Sequence, residues 1–336
     1  MNNPVGAIFV CLFVLLVSSS TSTESSGITV DTEQDRLALD EPLESLELAI
    51  TIDDVPITID EELNHGKTQV QVSRLETARG IIASLQSHHV PSVYAFSYGE
   101  PAARDSNAME ILQLWVGSGN FLGNHTFSHK NLAETTAEAF IADIERMDLL
   151  LNTLSPTSPA LKVFRYPFLT EGDNGEKRNK VRHYLASKGY RIAQVTVDYL
   201  DWAWTGAYMR CAATGDDRRL RWLRESVVKA ARRHVRRSQK LAKHVLGRDI
   251  KHILLLHFSA FNAFTLPEVL SALKADGVKF VDLQTAMSDP VYQTDPDLPI
   301  PNGRTFLGQL VEMNHIADPY QEQVYTAQKL GELCKR

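Results

Sequence analysis

Seven short apolar runs recur along this chain, and the stretches between them carry helical spacing. The runs are Leu46–Ile52, Pro91–Phe96, Asn120–Asn124, Lys162–Arg165, Arg191–Val197, His252–His257 and Val278–Asp282. Strand-length runs alternating with helices specify β/α units, because a chain must cross back over the sheet between successive parallel strands. Between the first runs, Leu75, Ala78, Ile82 and Leu85 recur at i, i+3, i+7 and i+10 and predict a helix. Thr135 and Glu138 have capping-box spacing ahead of Phe140, Ile144, Met147 and Leu151. Thr265 and Glu268 repeat the device and predict a helix start there, with Pro267 in its first turn. The expectation is an α/β fold of about seven strands.

Composition narrows the class of protein. Of 336 residues, 43% are hydrophobic and 23% charged, which supports a sizeable core and excludes wholesale disorder. Lys and Arg number 35 against 41 Asp and Glu, a formal charge of −6 that argues against a nucleic-acid binder. The three cysteines, Cys11, Cys211 and Cys334, exclude a disulfide-scaffolded mini-fold and a CxxC zinc site. Val5 to Val17 is an unbroken apolar run, short of the roughly 20 residues that span a bilayer. With Ser18–Ser20 after it, the run reads as the apolar region of a signal peptide over 1–20, although residues 1–4 carry no Lys or Arg. An uncleaved anchor is the alternative, and either reading sends the chain to a periplasmic or secreted location. Residues 21–45 lack periodicity and read as a flexible linker. Once the leader is removed, Cys211 and Cys334 remain, and spacing alone leaves their pairing open.

Polar residues cluster at the ends of five of the runs. Asp53 and Asp54 close the first, and two adjacent carboxylates beside a buried strand are costly unless paired or metal-bound. On a strand, neighbours point in different directions, so the two can take different tasks. His125 and His129 follow the third run at i, i+4 spacing, which on a helix places both rings on one face, about 6 Å apart. Two imidazoles and one carboxylate make a three-ligand set with open positions, the pattern of a catalytic rather than a structural zinc site. Arg165-Tyr166-Pro167-Phe168, Asp198-Tyr199-Leu200-Asp201-Trp202 and Leu255-Leu256-His257 occupy equivalent places in later runs. Singly, each has a plain structural reading as an ion pair, a turn or a satisfied core histidine. Together, five polar clusters at five strand ends describe a barrel with one active site at its C-terminal face.

The ordered set TIDD (51–54), HTFSH (125–129), RYPF (165–168), DYLDW (198–202) and LLH (255–257) resembles the five motifs of the polysaccharide deacetylases of the NodB-homology type, carbohydrate esterase family four. Those motifs run TFDD, H-S/T-x-x-H, R-x-P-Y, D-x-x-D-W and L-x-H. The resemblance spans about residues 46–288 and implies a distorted (β/α) barrel that removes N- or O-acetyl groups from a polysaccharide or oligosaccharide. Position by position, it implies Asp53 as catalytic base and Asp54, His125 and His129 as ligands of one divalent ion. Arg165 is implied to orient the base, and Asp201, with Asp198 beside it, to support His257 as the acid. Trp202 and Leu255 match apolar walls of the acetyl pocket. Phe168 stands where the family has Tyr, a residue that serves the oxyanion through its backbone N–H, and Ile52 stands where the family has an aromatic. The ligand set suits Zn²⁺, with Co²⁺, Ni²⁺ or Mn²⁺ as alternatives. A hydrolase of a non-sugar amide on the same barrel and a non-catalytic carbohydrate-binding module are the competing readings.

Two segments exceed the minimal domain. Residues 210–251 hold 14 Lys and Arg against 4 Asp and Glu, with Leu220, Leu223, Val227, Ala231, Val235, Leu241 and Val245 marking a helical stripe. This basic amphipathic insert (about 210–250) reads either as a solvated charged helix or as a contact for an anionic polymer or membrane surface. Residues 289–336 form a C-terminal extension, expected to carry a short helical tail with Leu307, Leu310, Val324 and Leu330 and to pack on the main domain.

Overall fold

The computed structural model describes residues 43, 45–57, 73–154, 161–320 and 327–335. The expected leader, almost all of the linker, and Val324 lie outside these residues. Strands β1 (Leu46–Val55), β2 (Tyr94–Ser97), β3 (Phe121–Asn124), β4 (Val163–Phe164), β5 (Arg191–Ile192), β6 (His252–His257) and β7 (Val278–Val281) make one sheet. Its order is β5-β4-β3-β2-β1-β6, with β7 also pairing β1, and all pairings are parallel. The chain after β5 then crosses to the far edge, where Val197 bridges Leu254 of β6. Two backbone N–H groups, of Thr196 and Val197, donate to the Ile253 carbonyl, and that of Leu255 donates to Val197, each at 3.0 Å. This crossing joins the ends of the strand order and curls the sheet into a distorted (β/α) barrel.

Alternation along the strands builds two layers of core. In β1, Leu46, Leu48, Ile50 and Ile52 face the surrounding helices and pack with Ile81, Leu254 and Leu256. Ala49 faces the barrel interior with Phe96, Val163, Ala193 and Ile253. Above that interior layer, on the same face, come the polar residues Thr51 and Asp53. Phe96 and Val163 fill the interior below them.

Each expected run contains a strand, with different limits. The Arg191–Val197 run supplies only β5 and the later bridge, because its middle bends across the barrel. β1 continues through Asp53 and Asp54 rather than ending before them. The first expected helix is Arg74–Ser87, opened by a reciprocal capping box between Ser73 and Glu76. The helix expected after Thr135 spans Ala137–Leu154. Its first turn is capped by Thr136, whose hydroxyl accepts from the Ala139 N–H at 3.2 Å. The third capping expectation is corrected. That helix runs Ala260–Ala275 from a Ser259 cap, and Pro267 lies in its interior. The Thr265 hydroxyl bonds back to the Phe261 carbonyl at 2.9 Å instead of capping a start.

The basic insert contains a helix of 30 residues, Asp217–Leu246, preceded by a second helix, Asp201–Thr214. Leu223, Val227, Ala231 and Val235 of the stripe enter the main core, and Leu241 joins a smaller one. Part of its charged side is engaged with the domain, while Arg218, Arg221 and Lys240 are exposed. Arg232 and Arg236 both pair with Asp276, at 2.6 and 2.5 Å, and Arg237 pairs with Asp318. The extension adds two further helices, Phe306–Met313 and Ala327–Glu332. Phe306, Leu307 and Leu310 bury against Leu241 and Ala242, and Leu330 enters the main core. A disulfide joins Cys211 to Cys334 across 123 positions of sequence. Among the described residues no helix is long and apolar enough to cross a membrane.

Candidate active site

The C-terminal ends of β1, β3 and β6 meet at the barrel mouth, over a cavity of about 670 Å³. Strand geometry alone would send Asp53 and Asp54 to opposite faces of the sheet. The backbone prevents this. Asp54 has φ 73°, in the left-handed region, and the β1–β2 register slips between Asp53 and Val55. Both carboxylates therefore reach the same site, where they meet different partners.

The histidine pair is also built differently from its i, i+4 spacing. No helix forms there; residues 125–129 are a loop with positive φ at Thr126 (64°) and His129 (52°). Asp143, on the helix Ala137–Leu154, clamps that loop by accepting from the N–H groups of Phe127 (3.0 Å) and Ser128 (2.8 Å) and from the Ser128 hydroxyl (2.8 Å). The His125 Nδ1–H donates to the Arg165 carbonyl at 2.8 Å, which turns Nε2 toward the carboxylates. His129 stands between the rings of Tyr98 and Phe168, at centroid distances of 5.2 and 4.6 Å.

Asp54, His125 and His129 thus form a cluster whose nitrogen and oxygen donors lie within 4.8 Å of one another. His129 Nε2 is 3.2 Å and His125 Nε2 3.6 Å from Asp54 Oδ1. Donors about 2.1 Å from a shared tetrahedral ion stand about 3.4 Å apart, so the spacing suits one. Asp54 Oδ1 is buried and has no hydrogen-bond partner, which an ion there would satisfy. The donor set of one carboxylate and two imidazoles fits a divalent cation. Burial, reinforced by His129, pushes His125 down to about 3, so the imidazole is neutral and available as a ligand. Burial disfavours ionised Asp54, but His129 and His257 outweigh it and hold the carboxyl well below its ordinary range.

Asp53 belongs to a different set of contacts. Arg165 Nη1 donates to Asp53 Oδ1 and to the Thr51 hydroxyl, each at 2.7 Å, and Nε donates to the Ala193 carbonyl at 3.1 Å. The guanidinium is buried over the Phe96 ring, 4.0 Å from its centroid. Burial pushes the Asp53 carboxyl up to about 6 against the opposing pull of Arg165. Its other oxygen, Oδ2, lies 3.7 Å from His125 Nε2.

His257 pairs with Asp53 in the β1–β6 register. Its Nδ1–H donates to Asp201 Oδ1 and its backbone N–H to Asp201 Oδ2, both at 2.7 Å. Asn262 holds that carboxylate from the other side, through its amide, and bonds the His257 carbonyl at 2.8 Å. Burial lowers the affinity of His257 for its proton, but Asp201, with Asp54 and Asp53, outweighs this and raises it to about 10. Asp198 does not touch His257 by hydrogen bond. It accepts from the Leu200 N–H at 2.7 Å, and its backbone bonds His234. Burial pushes the Asp198 carboxyl up to about 6.

Phe168, Trp202 and Leu255 all line the cavity. The Phe168 ring is 56% exposed, and its backbone is left-handed at φ 58°. Thr51, Asn262 and Tyr98 escaped the sequence reading, as did His234, Arg237 and the segment Asn302–Thr305, which also lines the cavity. Of these, Asn262 carried a signal, an amide five positions past His257 in a helix start. The others are ordinary residues until the fold assembles them.

The family model for polysaccharide deacetylase matches residues 41–193. A peptidoglycan-N-acetylglucosamine deacetylase of Bacillus cereus is 28% identical over 161 residues, 48% of this chain and 48% of that protein. The chain therefore spans about half the length of this curated relative. Similar solved structures include a CE4 family pseudoenzyme from Bacillus anthracis, at 15% identity over 74% of this chain and 66% of that one, with a TM-score of 0.48. Another is the family 4 carbohydrate esterase of Streptomyces lividans in complex with acetate, at 17% identity over 71% and 95% of the two chains, with a TM-score of 0.45.

Proposed function

We propose that this chain is a polysaccharide deacetylase, an exported, metal-dependent hydrolase that removes acetyl groups from an acetylated glycan. The observation that carries the reading is the separation of two adjacent carboxylates. Asp54 lies against two neutral-capable imidazoles, and Asp53 lies against a buried guanidinium.

Asp54, His125 and His129 would hold a divalent ion, with Zn²⁺ the best match to the donor set, and when bound it would polarise the acetyl carbonyl and acidify water. Asp53, raised to about 6, is poised to accept a proton from the attacking water near neutral pH. Arg165 fixes the direction of the Asp53 carboxylate. As the water oxygen bonds to the acetyl carbon, negative charge develops on the carbonyl oxygen, and the backbone N–H of Phe168 is the chain's own donor for it. The bond from carbon to the sugar nitrogen or oxygen then breaks. His257 gives its Nε2 proton to that leaving atom, and Asp201, which accepts the Nδ1–H, favours the imidazolium that carries this proton. Acetate and a free amine or hydroxyl result, and the proton taken by Asp53 balances the one given by His257.

Export is supported by the Val5–Val17 run and by the Cys211–Cys334 disulfide, which persists in oxidising compartments. The test of the function is acetate release from N-acetylated and O-acetylated oligosaccharides. Release that stops with a chelator and returns on adding Zn²⁺ is the expected result. Release unaffected by the chelator, or none from any glycan, contradicts the proposal.

A further inference from the structure

One wall of the cavity comes from outside the strand-end motifs. His234 and Arg237 reach it from the helix Asp217–Leu246, and Asn302–Thr305 from the extension. The extension is tied across the rim at two backbone points. The Glu171 N–H, in the loop after β4, donates to the Ile300 carbonyl at 2.9 Å, and the Phe306 N–H donates to the Val195 carbonyl, after β5, at 2.6 Å. Between these ties Gly303 has φ 65° and sits so close to Phe168 that a Cβ there would stand 2.2 Å from the Phe168 carbonyl oxygen. Behind the strap, Phe306, Leu307 and Leu310 are buried, and Arg237 Nε donates to the Tyr320 carbonyl at 2.7 Å while the guanidinium pairs with Asp318. Backbone bonds, apolar burial and an ion pair all hold the segment in place, so it is part of the rigid mouth.

A polysaccharide bound in mid-chain must enter the acetyl site on one side and leave on another. The strap stands on the rim over the β4 and β5 exits, beside Phe168. We infer, resting on the deacetylase reading above, that the enzyme acts on the acetylated sugar at an end of a glycan chain, the strap standing where the next sugar would lie. An internal sugar reaches the ion site only by displacing a segment tied at both ends by backbone hydrogen bonds and anchored by buried Phe306, Leu307 and Leu310.

The test uses the full chain loaded with Zn²⁺ on two defined probes, a β-1,4-linked N-acetylglucosamine pentamer and an O-acetylated xylopentaose, each labelled at the reducing end. Partial reaction followed by fragmentation mass spectrometry reads which sugar loses acetyl first. The expected result is loss at one terminal sugar at least about tenfold faster than at any internal one. Internal sugars deacetylated as fast as terminal ones would overturn this inference and leave the deacetylase reading intact. No acetate from either probe would overturn both.

Discussion

The barrel mouth has two halves made by different means. The half formed by β1, β3 and β6 places charged side chains at short distances: Asp54 against His129, Asp53 against Arg165, Asp201 against His257. The half formed by the long helix and the extension is held by backbone bonds, a glycine and leucines. The first half needs particular chemistry at particular positions, which leaves motifs. The second needs only shape, which many sequences supply. On the function proposed above, the reaction belongs to one half and the choice of substrate to the other, and mutations should separate the two.

The largest effect belongs to the charged half. Asp53→Asn should lower turnover by about 10²–10⁴-fold, the usual value of a general base, while metal content stays at the wild-type level. Turnover and metal analysis on the same sample check this. If metal were lost with activity, Asp53 would share the ligand role of Asp54.

Asp201→Asn comes next, with kcat at neutral pH falling by about 10²-fold. The sign of the pH effect follows from the raised affinity of His257 for its proton. The carboxylate of Asp201 favours the imidazolium, so its removal lowers the pKa of His257. The basic limb of the pH–rate profile, where the acid loses its proton, should move to lower pH. A limb that stayed in place would separate His257 from the acid role.

In the walled half, Gly303→Ala should act on shape. The added Cβ meets the Phe168 carbonyl, and alanine is strained at φ 65°. Stability should fall by about 1–3 kcal/mol, with a several-fold loss of kcat and little change in metal affinity. Calorimetry with metal analysis distinguishes this from damage to the ion site, because loss of metal would place the strap in the charged half after all.

The smallest effect is expected from Asp276→Asn, away from the mouth. Asp276 receives Arg232 and Arg236, and, although burial opposes it, these bonds depress its pKa. Its contribution is present above the unfolded value of 3.8 and is lost as pH falls through the lower folded value. The variant should be less stable than wild type by about 1–2 kcal/mol at neutral pH, a gap that closes below about pH 4. Thermal unfolding across pH 3 to 7 measures it, with turnover unchanged.

The sequence made the seven runs and the five polar clusters legible because buried strands need apolar residues and a metal or a base needs specific atoms. Asp53, Asp54, His125, His129, Arg165, Asp201 and His257 were all readable, and the fold brings all seven to one mouth. How they get there was not readable. The i, i+4 spacing of His125 and His129 implies a helix, yet Thr126 and His129 in left-handed conformations make the turn. Residues with a Cβ at positive φ give no compositional sign, unlike a glycine. Residue type alone does not separate Asp198 from Asp201; the family resemblance points to Asp201, and the direction of the chain entering the helix there turns that carboxylate to His257. The basic stretch reads either as a solvated charged helix or as a contact for an anionic partner. Three of its arginines, Arg232, Arg236 and Arg237, meet Asp276 and Asp318, carboxylates remote in sequence, and such long-range pairs leave no local pattern.

The central claim is that a left-handed turn brings two adjacent aspartates to one mouth, one to hold an ion and one to serve water. Crystals soaked in Zn²⁺ and measured at the zinc absorption edge test it most directly. The account predicts one anomalous peak about 2.0–2.2 Å from donor atoms of Asp54, His125 and His129, with Asp53 still paired to Arg165. A peak ligated by Asp53, or none between the two histidines and Asp54, would contradict it.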